Sequence, residues 1–293
     1  MASASIDNSF GSETYKEEWS IALQEELDSP TYWKDVCKVT YTNTRILHNP
    51  YYTDPTITTG TRGCPNVPAA TTITDDDTTI STYSYIYQII DRADAAQQGG
   101  YAQASYFGQR QGVLVNETLE AAVWAGAYAG GTDMGTETFA NGAGATQITV
   151  SSSNIDDIIR AVKREIREAG GEAIGNRNGI FITWRPADFE ILEGIMQANG
   201  YAMADKALKD GAQQGVTYMG VTHYASNFLT ANHAVGGVKK GIHLGILKAT
   251  YGQLVTIQDP GEISGFGYKT RVDYAAKVWN KMVALIFDIN LAS

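Results

Sequence analysis

Ile155, Ile158, Ile159, Val162 and Ile166 recur at the spacing of one helical face, with polar residues between them. Ser153 or Asn154 can cap the start of that helix, and Asp156 and Asp157 suit its positive end. Lys163, Arg164 and Arg167 suit the negative end, and Gly170 and Gly171 stop it. The run GIFITW, from Gly179 to Trp184, has strand length and little polar alternation, which predicts a strand buried on both faces. Pro186 fits the first turn of a second helix. Phe189, Leu192 and Met196, with Ile191 and Ile195, form its buried side, and Gly200 ends it.

Two runs of period two lie earlier. Cys37, Val39 and Tyr41 alternate with Lys38, Thr40 and Thr42, and Tyr83, Tyr85, Tyr87 and Ile89 share one side of the second run. Between them lie Pro50, Pro55, Gly60, Gly63, Pro65, Pro68 and ten threonines from Thr53 to Thr79. Threonine favours extended backbone, yet the stretch holds little that could fill a core. The pattern predicts a long two-stranded hairpin with an irregular tip. An isolated hairpin is marginal in water, and its unpaired edges invite pairing with another chain. Such an element is expected to lie across a neighbouring molecule. A surface loop packed on its own domain is the alternative. Asp75, Asp76 and Asp77 read as a solvated acidic turn whose side chains diverge.

From Asp91 to Gly130 the chain reads as helix, broken or bent at Gly99 and Gly100. A continuous helix from Tyr101 to Ala129 would span roughly 40 Å. Leu114, Ala121, Trp124 and Tyr128 lie near one side. Gly108, Gly112 and Gly126 weaken it by about 1 kcal/mol each, a loss that close backbone packing must recover. Residues 130–146 read as a loop. Near the end, Tyr268, Thr270, Val272 and Tyr274 alternate with Lys269, Arg271 and Asp273, a strand with one wet face expected beside the long helix. At the start, Glu17 to Leu27 places Trp19, Leu23 and Leu27 on one helical side. That piece is too short to stand alone and needs another surface.

The segment NIDDIIRAVKREIREAGG followed by NRNGIFITWRPADFEIL resembles the helix, strand and second helix of tailed-bacteriophage major capsid proteins of the Hong Kong 97 type. VTYMGVTHYASNF resembles that family's strand after a glycine turn, and GVKKGIHLGILKATYG and GYKTRVDYAAKVWNK resemble its late strands. The likeness runs from about Trp19 onward and rests on the order of the elements. It implies an α+β fold: an N-terminal arm (1–36), an extended loop hairpin (37–90), a peripheral domain with its spine helix (91–150 and 259–293) and an axial domain (151–258). It further implies a shell of pentamers and hexamers of one chain around double-stranded DNA, held without sequence-specific binding. Scaffold, portal and decoration proteins are the implied partners, and assembly in a host cytoplasm is the implied setting. Trp19, Leu23, Tyr51, Tyr52, Arg62, Tyr83 and Tyr85 are the expected inter-subunit contacts.

Composition narrows the alternatives. The 293 residues carry a formal net charge of −10, and no basic face of a nucleic-acid reader is visible. A container for DNA needs none, because an acidic wall avoids adhesion to packed phosphates. No run of about 18 apolar residues predicts a membrane span, and the first residues lack the order of a signal peptide. Cys37 and Cys64 read as free thiols. No lysine occurs between Lys38 and Lys163, so the covalent weld that some members of the resembled family make through a loop lysine is not expected. Candidate chemistry is thin. GGVKKG at Gly236–Gly241 is too short for a phosphate loop, and His48, His223, His233 and His243 are too scattered for a zinc motif. Ser226 near His223 lacks an oriented acid and an oxyanion hole. No catalytic residue, cofactor or metal site is expected. The rival readings are an encapsulin-type shell protein, a β-rich adhesion or carbohydrate-binding protein, and a soluble enzyme.

Overall fold

The computed structural model describes residues 30–54, 57, 59, 60, 62, 71–92, 103–134, 147–198, 215–258 and 265–291. Two sheets share one long helix. The expected helix–strand–helix block forms as Ile155–Glu168, Ile180–Trp184 and Pro186–Ala198, with a short helix, Glu172–Asn178, before the strand. Ile155, Ile158, Ile159, Val162 and Ile166 are all buried. The strand is covered on both faces: Ile182 and Trp184 join the core beneath the two helices, and Phe181 meets Trp124 of the long helix on the other side. It sits inside a six-stranded sheet, parallel to Val221–Ala225 and antiparallel to His233–Val238. Ile286–Asn290 extends that sheet beyond His233–Val238.

Gln103–Gly130 is the spine helix. It runs along Gly265–Val278, the longest strand, in the five-stranded sheet. The first ten residues of that strand pair with Thr82–Asp91, and its last five pair with Ile242–Leu247. Gly126 is the close-approach position: a Cβ there would lie 2.9 Å from Ala276 Cβ and 3.0 Å from Ala276 O. A Cβ at Gly112 would meet nothing, so only part of the glycine pattern reflects packing. Gly126→Val is expected to destabilise the subunit by about 2 kcal/mol or more through overpacking, read as a lowered midpoint in chemical denaturation.

The expected hairpin takes a different form. Lys38–Thr42 and Thr82–Asp91 do not pair with each other. The first runs parallel to Ile242–Leu247, and the second antiparallel to Gly265–Val278. Each of these partners satisfies one hydrogen-bonding edge of its strand and fixes it in a larger sheet, a support that a free-standing hairpin lacks. Among the described residues two short ladders remain as the hairpin proper, Ile46–Leu47 with Thr78–Thr79 and Tyr51–Tyr52 with Ile73–Thr74.

The buried stripe of the spine helix also differs from expectation. Ala121 is exposed and Leu114 half-buried, while Gln111, Val115, Leu119, Glu120, Val123, Trp124 and Ala127 face inward. Tyr32–Val36, expected as the end of the arm, is anchored in the core instead through Tyr32, Trp33 and Val36, with helix Trp33–Val36 against the spine helix. The sheets cross the expected domain division as well. Ile242–Leu247 and Leu254–Gln258 belong to the five-stranded sheet, whereas Ile286–Asn290 completes the six-stranded one. Among the described residues no helix is long and apolar enough to cross a membrane.

Candidate assembly surfaces

Strand alternation splits Thr82–Asp91 into two faces. Ile86 packs on the core, Gln88 accepts a hydrogen bond from Gln111 of the spine helix, and Ser84 Oγ lies 3.2 Å from the Tyr274 hydroxyl. Tyr83, Tyr85, Tyr87 and Ile89 point the other way and are 54, 59, 39 and 40% exposed. Register places Asp273, Arg271 and Lys269 opposite Tyr83, Tyr85 and Tyr87, and Val255 next to Lys269. Arg271 stacks over the Tyr83 ring at 4.4 Å, and Lys269 lies 5.5 Å from the Tyr85 ring. Arg271 also grips Asp273 through two hydrogen bonds of 2.6 and 2.9 Å. The outer face is therefore a tyrosine stripe edged by fixed cations. Aromatic rings and arginine at an open sheet face are the composition of a protein contact.

The extended loop is the second surface. Its base is fastened to its own subunit. Asp76 is buried, and its carboxylate accepts from Lys277 Nζ at 2.6 Å and from the Asn280 N–H at 2.7 Å. Ile80 and Thr78 are buried beside it. Farther out, Lys281 reaches Asp54 and stands over the Tyr51 ring. Beyond these ties Tyr52, Ile57 and Ile73 are 65, 94 and 61% exposed.

The expected contact residues thus fall into separate groups. Tyr83 and Tyr85 stack together on the sheet face, with ring centroids 6.3 Å apart. Tyr51 and Tyr52 lie on the loop ladder, and Arg62 is exposed at a turn of the same loop. Trp19 and Leu23, and with them Cys64, lie outside the described residues. Tyr87, Ile89 and Val255 complete the outer face. Strand period alone would have included Tyr87 and Ile89; Val255 joins them only through register.

A buried polar latch joins the start of the described chain to the spine helix. Glu120 Oε2 accepts the Tyr32 and Trp33 N–H groups at 2.9 and 2.7 Å. Its Oε1 accepts Trp124 Nε1–H at 2.9 Å and the Ser226 hydroxyl at 3.3 Å. Burial pushes the Glu120 pKa up to about 7 against the opposing pull of these four donors. Asp35 adds a second tie, accepting from Lys239 and from the Tyr224 hydroxyl. Cys37 is a free, buried thiol whose pKa is raised by burial and by the nearby Glu120 charge. Sequence periodicity missed Glu120. The available signal was an acid on the same turn as Leu119 and Trp124 in a helix with few charges.

Ser226 and His223 do not form a catalytic pair. The serine serves Glu120, while His223 Nδ1 accepts Trp184 Nε1–H at 3.0 Å and its Nε2–H donates to Tyr218 O at 3.3 Å. Burial lowers the His223 pKa to about 4. A histidine held neutral contributes stability in full above its unfolded pKa, and that contribution is lost as pH falls from about 6.5 toward 4. Acidification across that window is expected to cost about 3 kcal/mol at this site, and His223→Gln is expected to flatten that part of the pH–stability curve.

No family model matches the sequence, and no curated protein sequence matches it. The fold matches solved structures along nearly the whole chain. A protein of Mycobacterium phage Che8 superposes with a TM-score of 0.70 at 14% identity, covering 94% of this chain and 96% of that one. The capsid of Ralstonia phage GP4 gives 0.65 at 10% identity, with 100 and 99% covered. A virus-like particle from Pyrococcus furiosus gives 0.54 at 10% identity, with 89 and 92% covered. The chain has the α+β Hong Kong 97-like capsid fold that the order of its sequence elements resembles.

Proposed function

We propose that this protein is the major capsid protein of a tailed, double-stranded DNA bacteriophage and assembles into its icosahedral shell. The observation that carries this reading is a fold shared end to end with phage capsid subunits. Among the described residues a tyrosine sheet face and apolar groups of the loop also stand exposed.

In this reading the five-stranded sheet and spine helix form the peripheral domain. The six-stranded sheet with its helices forms the axial domain, whose copies meet around five- and six-fold axes. The arm precedes Tyr32, and the extended loop lies between Thr42 and Thr82. Trp19, Leu23, Tyr51, Tyr52, Arg62, Tyr83 and Tyr85 contact neighbouring subunits. Many modest contacts per subunit add up to a stable shell. Scaffold and portal proteins nucleate and vent it, decoration proteins bind its outside, and DNA fills it without base-specific contacts. The role is structural and not enzymatic: the two groups nearest to a catalytic pair are committed to separate structural networks.

Electron microscopy and light scattering of the purified protein test this. Closed particles of uniform size are expected at raised concentration, or with the co-expressed scaffold. A chain that stays a compact monomer in both settings overturns the reading. The likeness to the Pyrococcus particle keeps an encapsulin-type shell as the second reading. Nuclease-protected DNA inside particles from phage-producing cells favours the capsid, and a packaged enzyme favours the compartment.

A further inference from the structure

The extended loop carries a cluster that the shell function does not use. Its two ladders, Ile46–Leu47 with Thr78–Thr79 and Tyr51–Tyr52 with Ile73–Thr74, are separated by residues 48–50 on one arm and 75–77 on the other, which make no ladder pair. In that gap His48 Nδ1 lies 2.6 Å from Asp75 Oδ2 and 2.7 Å from Asp77 Oδ1. One ligand atom from each of the three residues lies within 4.8 Å of the others.

The acidic triplet does not spread as a solvated turn would. Asp76 turns inward to Lys277 and the Asn280 amide, as described above, and Lys277 also donates to the Asp77 carbonyl. This anchor leaves Asp75 and Asp77, two residues apart, on the opposite side and aimed at the other arm. Two carboxylates brought to one nitrogen need positive charge between them. A single N–H at Nδ1 is the least that supplies it, and a cation satisfies all three groups at once.

We propose that His48, Asp75 and Asp77 bind one divalent transition-metal ion of the zinc type, which clips the two arms of the extended loop together. The donor set chooses the class. Calcium and magnesium take oxygen ligands, whereas an imidazole with carboxylates suits zinc and its first-row neighbours. Zinc takes nitrogen and oxygen at about 2.0–2.2 Å, which puts ligand atoms roughly 3.3 Å apart in a tetrahedral site. All three side chains are exposed, so small rotations open the present spacing to that value. Water completes the coordination. The clip would replace the ladder hydrogen bonds that the loop lacks at this point.

The test uses untagged, full-length, unassembled protein, so its outcome does not depend on whether shells form. Calorimetric titration and elemental analysis are run with Zn²⁺, and separately with Ca²⁺. One zinc per chain is expected at micromolar concentration. Binding should weaken by at least about tenfold in His48→Ala and in the Asp75→Asn/Asp77→Asn double variant, with circular dichroism unchanged. Added zinc should also slow proteolysis within the loop of the wild-type chain and not of the variants. Three results overturn the proposal: no zinc uptake, uptake undiminished in both variants, or calcium binding that His48→Ala leaves intact.

Discussion

The double variant Tyr83→Glu/Tyr85→Glu is expected to yield folded subunits that no longer build shells. The two rings stand on the outer sheet face, more than half exposed, beside Arg271 and Lys269. Glutamates there keep those cations as partners, so the sheet itself has little reason to unfold. What is lost is the aromatic area a neighbour would cover. Two rings of about 150–250 Å² each, roughly half of it still open in the subunit, amount to about 4 kcal/mol per contact at ~25 cal/mol per Å². That is roughly a thousandfold in association constant. Size-exclusion chromatography and electron microscopy read the loss, with circular dichroism as the control for folding. Shells formed at the wild-type concentration would remove the tyrosine face from the set of contacts.

Glu120→Ala is expected to lower subunit stability by about 3 kcal/mol. It strands the Tyr32 and Trp33 amides and the Trp124 indole N–H, all buried, without an acceptor. For a chain of this size the melting temperature should fall by roughly 5 °C, and the Tyr32 and Trp33 amides should exchange faster with solvent. The pH dependence is the sharper test. A carboxyl with a raised pKa binds its proton more tightly when folded, so its contribution is full below about 4.5 and is lost as pH rises toward 7. The buried His223 acts in the opposite direction over nearly the same window. In the wild-type protein the two slopes offset each other. Glu120→Gln removes one and leaves the other, so this variant should lose stability on acidification more steeply than the wild type. It also sets an amide N–H₂ or its oxygen against mismatched partners, which adds a cost independent of pH. Parallel pH profiles for wild type and Glu120→Gln would show that Glu120 does not titrate in this range.

Much of this molecule is visible in its sequence because local periodicity and burial coincide. The isoleucines from Ile155 to Ile166 face one core because 3.6-residue spacing leaves them no other shared side. GIFITW is apolar throughout because the strand is covered on both faces, and its length and flanking glycine distinguish it from a helix. The alternation from Tyr268 to Tyr274 returns as the inward face along the spine helix. Tyr83, Tyr85 and Tyr87 share one side, as their spacing implies, since a strand offers only two.

Partnership was not visible. Lys38–Thr42 and Thr82–Asp91 look like the two arms of one hairpin, and each has the right period for it. Which strand pairs with which depends on how much apolar surface each arrangement buries, and that sum includes residues about 170 to 205 positions away. The same holds for Glu120, three of whose four donors come from two distant parts of the chain while Trp124 lies one turn along its own helix, and for Asp76, drawn inward by Lys277 and Asn280. By itself the sequence determined the main elements and their order, and the faces of the isoleucine helix and of the alternating strands, because these follow from backbone period and side-chain hydropathy within a few residues; the buried side of the alanine- and glycine-rich spine helix did not follow in the same way. Only the tertiary structure decided which strands share a sheet, which acids are buried and which converge on His48. Those outcomes depend on long-range register and on the cost of leaving a polar group unpaired, neither of which any local window contains.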